Sequence, residues 1–207
     1  MTDGSAEEKT TVDANNPKPG FFARIRSWMS GGGKGAAVEE GALIVNKDFI
    51  SQVLPHRGRM LLLDRVVITP SKVAGFFTVT EEVCAGHAIG NNAVFRGVEL
   101  PEMANQLLGI WYAIQHPELI GAGKIIFARE GKYEAKSFVQ PGDLVQIAVP
   151  YDNLSGIMKT SHHGTLLTLS GKDFVFTVKG KVVGHVEEVV LKSMEDPKTT
   201  PPAVIAS

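Results

Sequence analysis

The chain has 207 residues, of which 43% are hydrophobic, 21% charged and 7% aromatic, with 21 Lys and Arg against 22 Asp and Glu and a formal net charge of −1. That length suits one ordinary domain with an appendage and is ample for a sizeable buried core. The balanced charge argues against non-specific nucleic-acid binding, and the single Cys84 excludes an intrachain disulfide or a cysteine-rich zinc site. No apolar run approaches the roughly 20 residues that span a bilayer. The polar, acidic start is not a secretory signal, so a cytoplasmic, reducing compartment is expected.

In chain order, residues 1–41 read as a flexible extension. They carry Asn15-Asn16-Pro17-Lys18-Pro19-Gly20 and Gly31-Gly32-Gly33, compositions of loops and linkers. Between these breakers Phe21, Phe22, Ile25, Trp28 and Met29 share one face of a short amphipathic helix near 21–29, with Arg24 and Arg26 on its polar side. Such a helix either docks on its own domain or another subunit, or lies against a membrane surface or partner. Residues 42–194 form the expected folded domain. Residues 195–207, with Thr199-Thr200-Pro201-Pro202, read as a second flexible tail.

Within the domain, residues 60–68 and 73–80 read as strands separated by Thr69-Pro70-Ser71. Residues 100–116 follow as a helix that is apolar nearly all round, which marks a buried helix. Pro117 stops it. Strand-like runs then occupy 124–128, 134–138, 144–150, 165–170, 173–178 and 181–191, with turns expected at Pro141-Gly142-Asp143, Gly171-Lys172 and Lys179-Gly180. Many antiparallel strands around one buried helix define an α+β fold in which a sheet wraps a helix.

That helix carries Glu102, an odd residue for a core. Burying a carboxylate costs several kcal/mol unless it is paired or neutralised, and burial raises its pKa. Gln106 lies one turn on and is placed to orient it. Gly97 begins the first turn, where amides without intrahelical acceptors can polarise a carbonyl oxygen, and Pro101 is compatible with that turn. His87 precedes it in a loop rich in Gly and Asn. Glu99 reads as a favourable charge at the helix start.

The segments Gly86-His87, Gly90-Asn91-Asn92-Ala93-Val94-Phe95-Arg96-Gly97-Val98 and Glu102-Met103-Ala104-Asn105-Gln106 together resemble the central motif of the (3R)-hydroxyacyl-acyl carrier protein dehydratases of FabZ type. Ile50-Ser51-Gln52-Val53-Leu54-Pro55-His56-Arg57 with Leu61-Leu62-Leu63-Asp64-Arg65-Val66 resembles the family's leading motif. Phe138-Val139-Gln140-Pro141-Gly142-Asp143 and Gly180-Lys181-Val182-Val183 resemble its later strand turns. The similarity covers about residues 49–191. It implies a hot-dog fold, a long central helix wrapped by a curved antiparallel sheet, and a homodimer or a trimer of such dimers with active sites at the interface.

The same resemblance implies that the His87 of one subunit faces the Glu102 of the other. His87 would take a proton from C2 of a 3-hydroxyacyl thioester on acyl carrier protein. Glu102 would help the C3 hydroxyl leave, Gly97 and Val98 would meet the thioester, and Gln106 would support the site. No metal or organic cofactor is implied. His162-His163 makes a poor metal pair, because adjacent residues of a strand point to opposite faces, and His56 reads as a support of its Pro-His-Arg turn. The chain departs from the family at Ala88-Ile89, where Phe-Pro is usual, at Arg96, where Pro is usual, and in a His-to-Gly loop one residue longer. These changes bear on efficiency and acyl length, and Arg96 offers a local basic group for an acidic carrier protein. Two other readings stay open, a hot-dog thioesterase and a non-catalytic protein that binds acyl carrier protein.

Overall fold

The structure is a computed structural model that describes residues 42–116, 125–161 and 164–194. The expected helix near 21–29, both tails and His162-His163 lie outside the described residues.

The central element is the helix α3, Glu99–Gln115. Met103, Leu107, Leu108 and Ile110 are wholly buried on it, and each such side chain is worth about 1.5–3 kcal/mol over leaving it in water. The burial is not complete around the circumference. Glu102, Asn105 and Gly109, at i, i+3 and i+7, form a half-open polar stripe. The first turn has no side-chain cap at Val98, and Pro101 sits where its missing amide costs nothing. Pro117 disfavours helical geometry at His116, which ends the helix with φ −131° and ψ 65°.

Around α3 curves an antiparallel sheet in the order β1-β2-β3-β7-β9-β10-β6, with β8 paired to β9. Its strands are β1 Leu43–Asn46, β2 Arg65–Ile68, β3 Lys72–Thr78, β6 Ile125–Ala135, β7 Leu144–Pro150, β8 Leu154–Ser161, β9 Gly164–Val178 and β10 Lys181–Met194. A separate hairpin joins β4, Ala88–Ile89, to β5, Asn92–Ala93. The described residues also form two short α-helices, α1 Lys47–Val53 and α2 Glu81–Cys84, and two single 3-10 turns at Gly58–Met60 and Tyr151–Asn153. Asn46 caps α1 by accepting from the Phe49 amide, and Thr80 caps α2 by accepting from that of Val83. The expected α+β architecture, a long helix wrapped by an antiparallel sheet, is the one found.

Three expectations are corrected. The strand expected at 60–68 begins only at Arg65; Gly58–Met60 is a single 3-10 turn, and Leu61 to Leu63 are buried without joining the sheet. The two strands expected at 124–128 and 134–138 are joined as the one strand β6, Ile125–Ala135, after which the Lys136 and Ser137 amides both donate to the Val183 carbonyl. Gly171-Lys172 is not a turn, because β9 runs straight through it. A Cβ at Gly171 would lie 2.4 Å from the Phe174 ring and 3.1 Å from Leu154, so this glycine serves close packing. The Lys179-Gly180 turn is as expected, with φ of 49° and 76°, the positive pair that suits a two-residue hairpin.

Gly75 on β3 allows the sheet to close on α3. A Cβ there would stand 2.7 Å from Leu63, 2.9 Å from Ile147 and 3.2 Å from Leu107. Overpacking of this kind costs about 1–3 kcal/mol. Gly75→Ala is therefore expected to lower stability by that amount in urea unfolding of the full chain, and unchanged stability would contradict this packing.

Candidate active site

His87 is held by its neighbours on both sides. Gly86 takes φ +78° just after α2, a backbone state glycine reaches without Cβ strain, and the His87 amide donates to the Cys84 carbonyl at 3.0 Å. The chain then makes the β4–β5 hairpin and returns, so that the Val94 amide donates to the His87 carbonyl at 3.1 Å. The His87 ring closes the loop, with Nδ1 3.0 Å from the Val94 carbonyl oxygen. A carbonyl can only accept, so in the neutral ring the proton sits on Nδ1 and Nε2 carries the lone pair.

His87 lines a cavity of about 240 Å³ together with Phe95, Gly97, Leu100, Lys136 and Phe138. Gly97 brings its backbone to this wall at the uncapped start of α3. The Glu99 and Leu100 amides are already bonded, to the carbonyls of Arg96 and Gly97. The Gly97 and Val98 amides precede them, at the positive end of the helix dipole. A Cβ on Gly97 would meet that of Ala135 at 3.1 Å, and Val98 is 59% exposed beside it. Phe138, 68% exposed at the rim, adds an apolar lip.

Glu102 is not among the residues lining that cavity. One of its carboxylate oxygens, Oε1, lies 3.0 Å from His56 Nε2 and accepts from Gln106 Nε2 at 2.9 Å. Its other oxygen, Oε2, is 3.4 Å from Asn105 Nδ2. The expected burial of Glu102 is corrected, since 26% of its side chain is open. The buried carboxylate of the first turn is Glu99, which is ion-paired with Arg96. Arg96 pairs with Glu99 through Nη2 and has its Nε buried without a partner, while 39% of its side chain is open. Lys136, at the cavity rim, lies 3.2 Å from Glu134.

Gln106 is 1% exposed and fully engaged. Its side-chain oxygen accepts from the Leu62 amide at 2.9 Å, and its nitrogen donates to the Met60 carbonyl at 2.7 Å as well as to Glu102. The amide cannot be flipped, because NH₂ would then face the Leu62 N–H. It orients Glu102 and leaves nothing free for a substrate. Asn105 and His56 are the polar neighbours that sequence reasoning missed. Asn105 shares the i, i+3 spacing with Glu102, which is a usable signal, whereas nothing local connects His56 to a residue 46 positions away. Among the described residues no group of three or more His, Cys, Asp or Glu is placed to hold a metal ion. Cys84 is buried, and that burial pushes its thiol up from the ordinary range, helped by Glu81 and opposed by Arg96. It is not an activated nucleophile.

The 3-hydroxyacyl-[acyl-carrier-protein] dehydratase FabZ of Oenococcus oeni is 30% identical over 139 residues, covering 63% of this chain and 96% of that protein. The chain belongs to the FabZ dehydratase family. A FabZ from Caldanaerobacter subterraneus is 33% identical over 119 residues, 55% of this chain and 82% of the relative. In solved structures, the dehydratase heterocomplex ApeI:P from Xenorhabdus doucetiae matches 71% of this chain and 91% of its own with a TM-score of 0.51. At 16% identity that likeness speaks for the shared hot-dog fold alone. No family model matches the chain. No described helix of this FabZ-family chain is long and apolar enough to cross a membrane.

Replacing Gln106 by Leu strips the partner from the buried Leu62 amide, and an unmet buried group costs about 1–3 kcal/mol. Gln106→Leu is expected to unfold at correspondingly lower urea, and wild-type stability would contradict the bonding described.

Proposed function

We propose that this chain dehydrates a (3R)-hydroxyacyl thioester on acyl carrier protein to the trans-2-enoyl thioester, in fatty-acid or related lipid biosynthesis. The observation that carries the reading is the His87 ring, whose Nδ1 is spent on the Val94 carbonyl while its Nε2 is left as a base. The same cavity holds Gly97 at an uncapped helix start. Membership of the FabZ family agrees with this chemistry.

In the proposed step, the thioester carbonyl oxygen accepts from the Gly97 or Val98 amide, which stabilises charge building toward that oxygen. His87 Nε2 removes the C2 proton, and the C–H electron pair becomes the C2–C3 π bond. The C3–O bond breaks as Glu102 supplies a proton, so the products are the enoyl thioester and one water. His87 is left protonated and Glu102 ionised, and a proton returns to the carboxylate before the next turnover. Gln106 acts on Glu102 alone. Proton transfer of this kind calls for no metal or organic cofactor.

The separation of Glu102 from the His87 cavity supports a homodimer in which one protomer supplies His87 and its partner Glu102. A cytoplasmic setting belongs to the same reading.

The test is to incubate the purified chain with a 3-hydroxyacyl thioester and follow enoyl product and free thiol. Enoyl product is expected. Free thiol without enoyl would replace this reading with a thioesterase, and neither product from folded protein would leave a binding role. Loss of a positioned acid or base costs about 10²–10⁴-fold. His87→Ala and Glu102→Gln are each expected to lose that much kcat, and full activity in either would remove that residue from the site.

A further inference from the structure

The two oxygens of Glu102 have unequal surroundings. Oε1 is met by two nitrogens, His56 Nε2 at 3.0 Å and Gln106 Nε2 at 2.9 Å, while Oε2 has only Asn105 Nδ2 at 3.4 Å. His56 is itself fixed. Arg57 Nη1 donates to the Leu54 carbonyl at 2.5 Å and to the His56 carbonyl at 2.6 Å, pinning the Pro-His-Arg turn. His56 Nδ1 is buried and has no partner. A buried N–H without an acceptor is rarer and costlier than a buried lone pair, which places the proton of the neutral ring on Nε2, toward Glu102.

We propose that His56 is a positioning residue that, with Gln106, holds Glu102 through Oε1 and so makes Oε2 the oxygen that delivers the proton. This rests on the reading of Glu102 as the acid of the dehydration. An oxygen already facing two N–H groups has little room to carry a proton of its own, so the acidic proton resides on Oε2. When it passes to the C3 oxygen, the Oε2–H bond breaks, water departs, and the charge left on the carboxylate is held by the two N–H groups at Oε1. The side chains of His56 and Glu102 are 29% and 26% exposed, so the carboxyl is held yet reachable. The leading motif thereby joins the site as the support of its acid.

The test combines kinetics with nitrogen-15 spectra of the histidine rings in the full chain. Removing a group that orients a reacting group costs about 10–100-fold in activity. His56→Ala is expected to lower kcat by that factor with little change in KM, and His56→Gln, which restores a side-chain N–H₂, to recover part of it. Wild-type kcat in His56→Ala would overturn the proposal, as would a His56 ring protonated on Nδ1 alone. The ring spectrum of the wild-type chain needs neither a folded variant nor activity. If the wild type yields no enoyl product, the functional reading falls, and the carbon-13 shift of the Glu102 carboxyl then judges the contact with His56. That shift is expected to move in His56→Gln, and an unmoved signal would overturn it.

Discussion

The structure turns on the buried side chain of Gln106. It bonds the core helix, the segment Met60 to Leu62 and the Glu102 carboxylate together. Leu61 to Leu63 are buried outside the sheet, so their backbone groups need partners from elsewhere. A glutamine meets that need with an acceptor and two donors on one planar group. Its geometry is therefore fixed by folding, and the second donor is delivered to Glu102 already aimed. Stability and site construction come from the same three bonds. A half-satisfied network here would be worse than an apolar core.

Much of this was legible in the sequence, because it follows from spacing along one element. The apolar periodicity of 100–116, the helix end ahead of Pro117 and the Glu102–Gln106 spacing hold in α3, whereas Gly97, expected in the first helical turn, stands two residues before Glu99. The hairpin at Lys179-Gly180 was legible for a similar local reason, a dipeptide suited to positive φ. Other features depend on contacts far apart in the chain and left no local trace. Gly171 looks like a turn glycine until Leu154 and Phe174 are seen against it. The contact of His56 with Glu102 spans two motifs that a linear reading treats separately.

The placement of charge shows the same limit. Periodicity puts Glu102 on a buried helix, yet Glu99 is the more completely buried and Glu102 lies in the half-open stripe with Asn105 and Gly109. Glu99 answers its burial by pairing with Arg96, the residue that departs from the family's usual proline. That pair spans the turn carrying Gly97. The carboxylate proposed for the chemistry is held by His56, Gln106 and Asn105 and kept reachable, whereas Glu99 is buried against a cation. An acid that changes protonation in turnover would be poorly served by a permanent buried ion pair.

The proposed catalytic pair is divided within one chain, with His87 in the cavity beside Gly97 and Glu102 among His56, Asn105 and Gln106. The central claim is that two protomers bring these halves together. The most direct measurement mixes His87→Ala and Glu102→Gln chains by co-expression and assays the purified mixed dimer for enoyl product. Each mixed dimer would contain one intact pair, so activity should rise far above that of either variant alone. A mixed dimer as inactive as its parents would contradict the account.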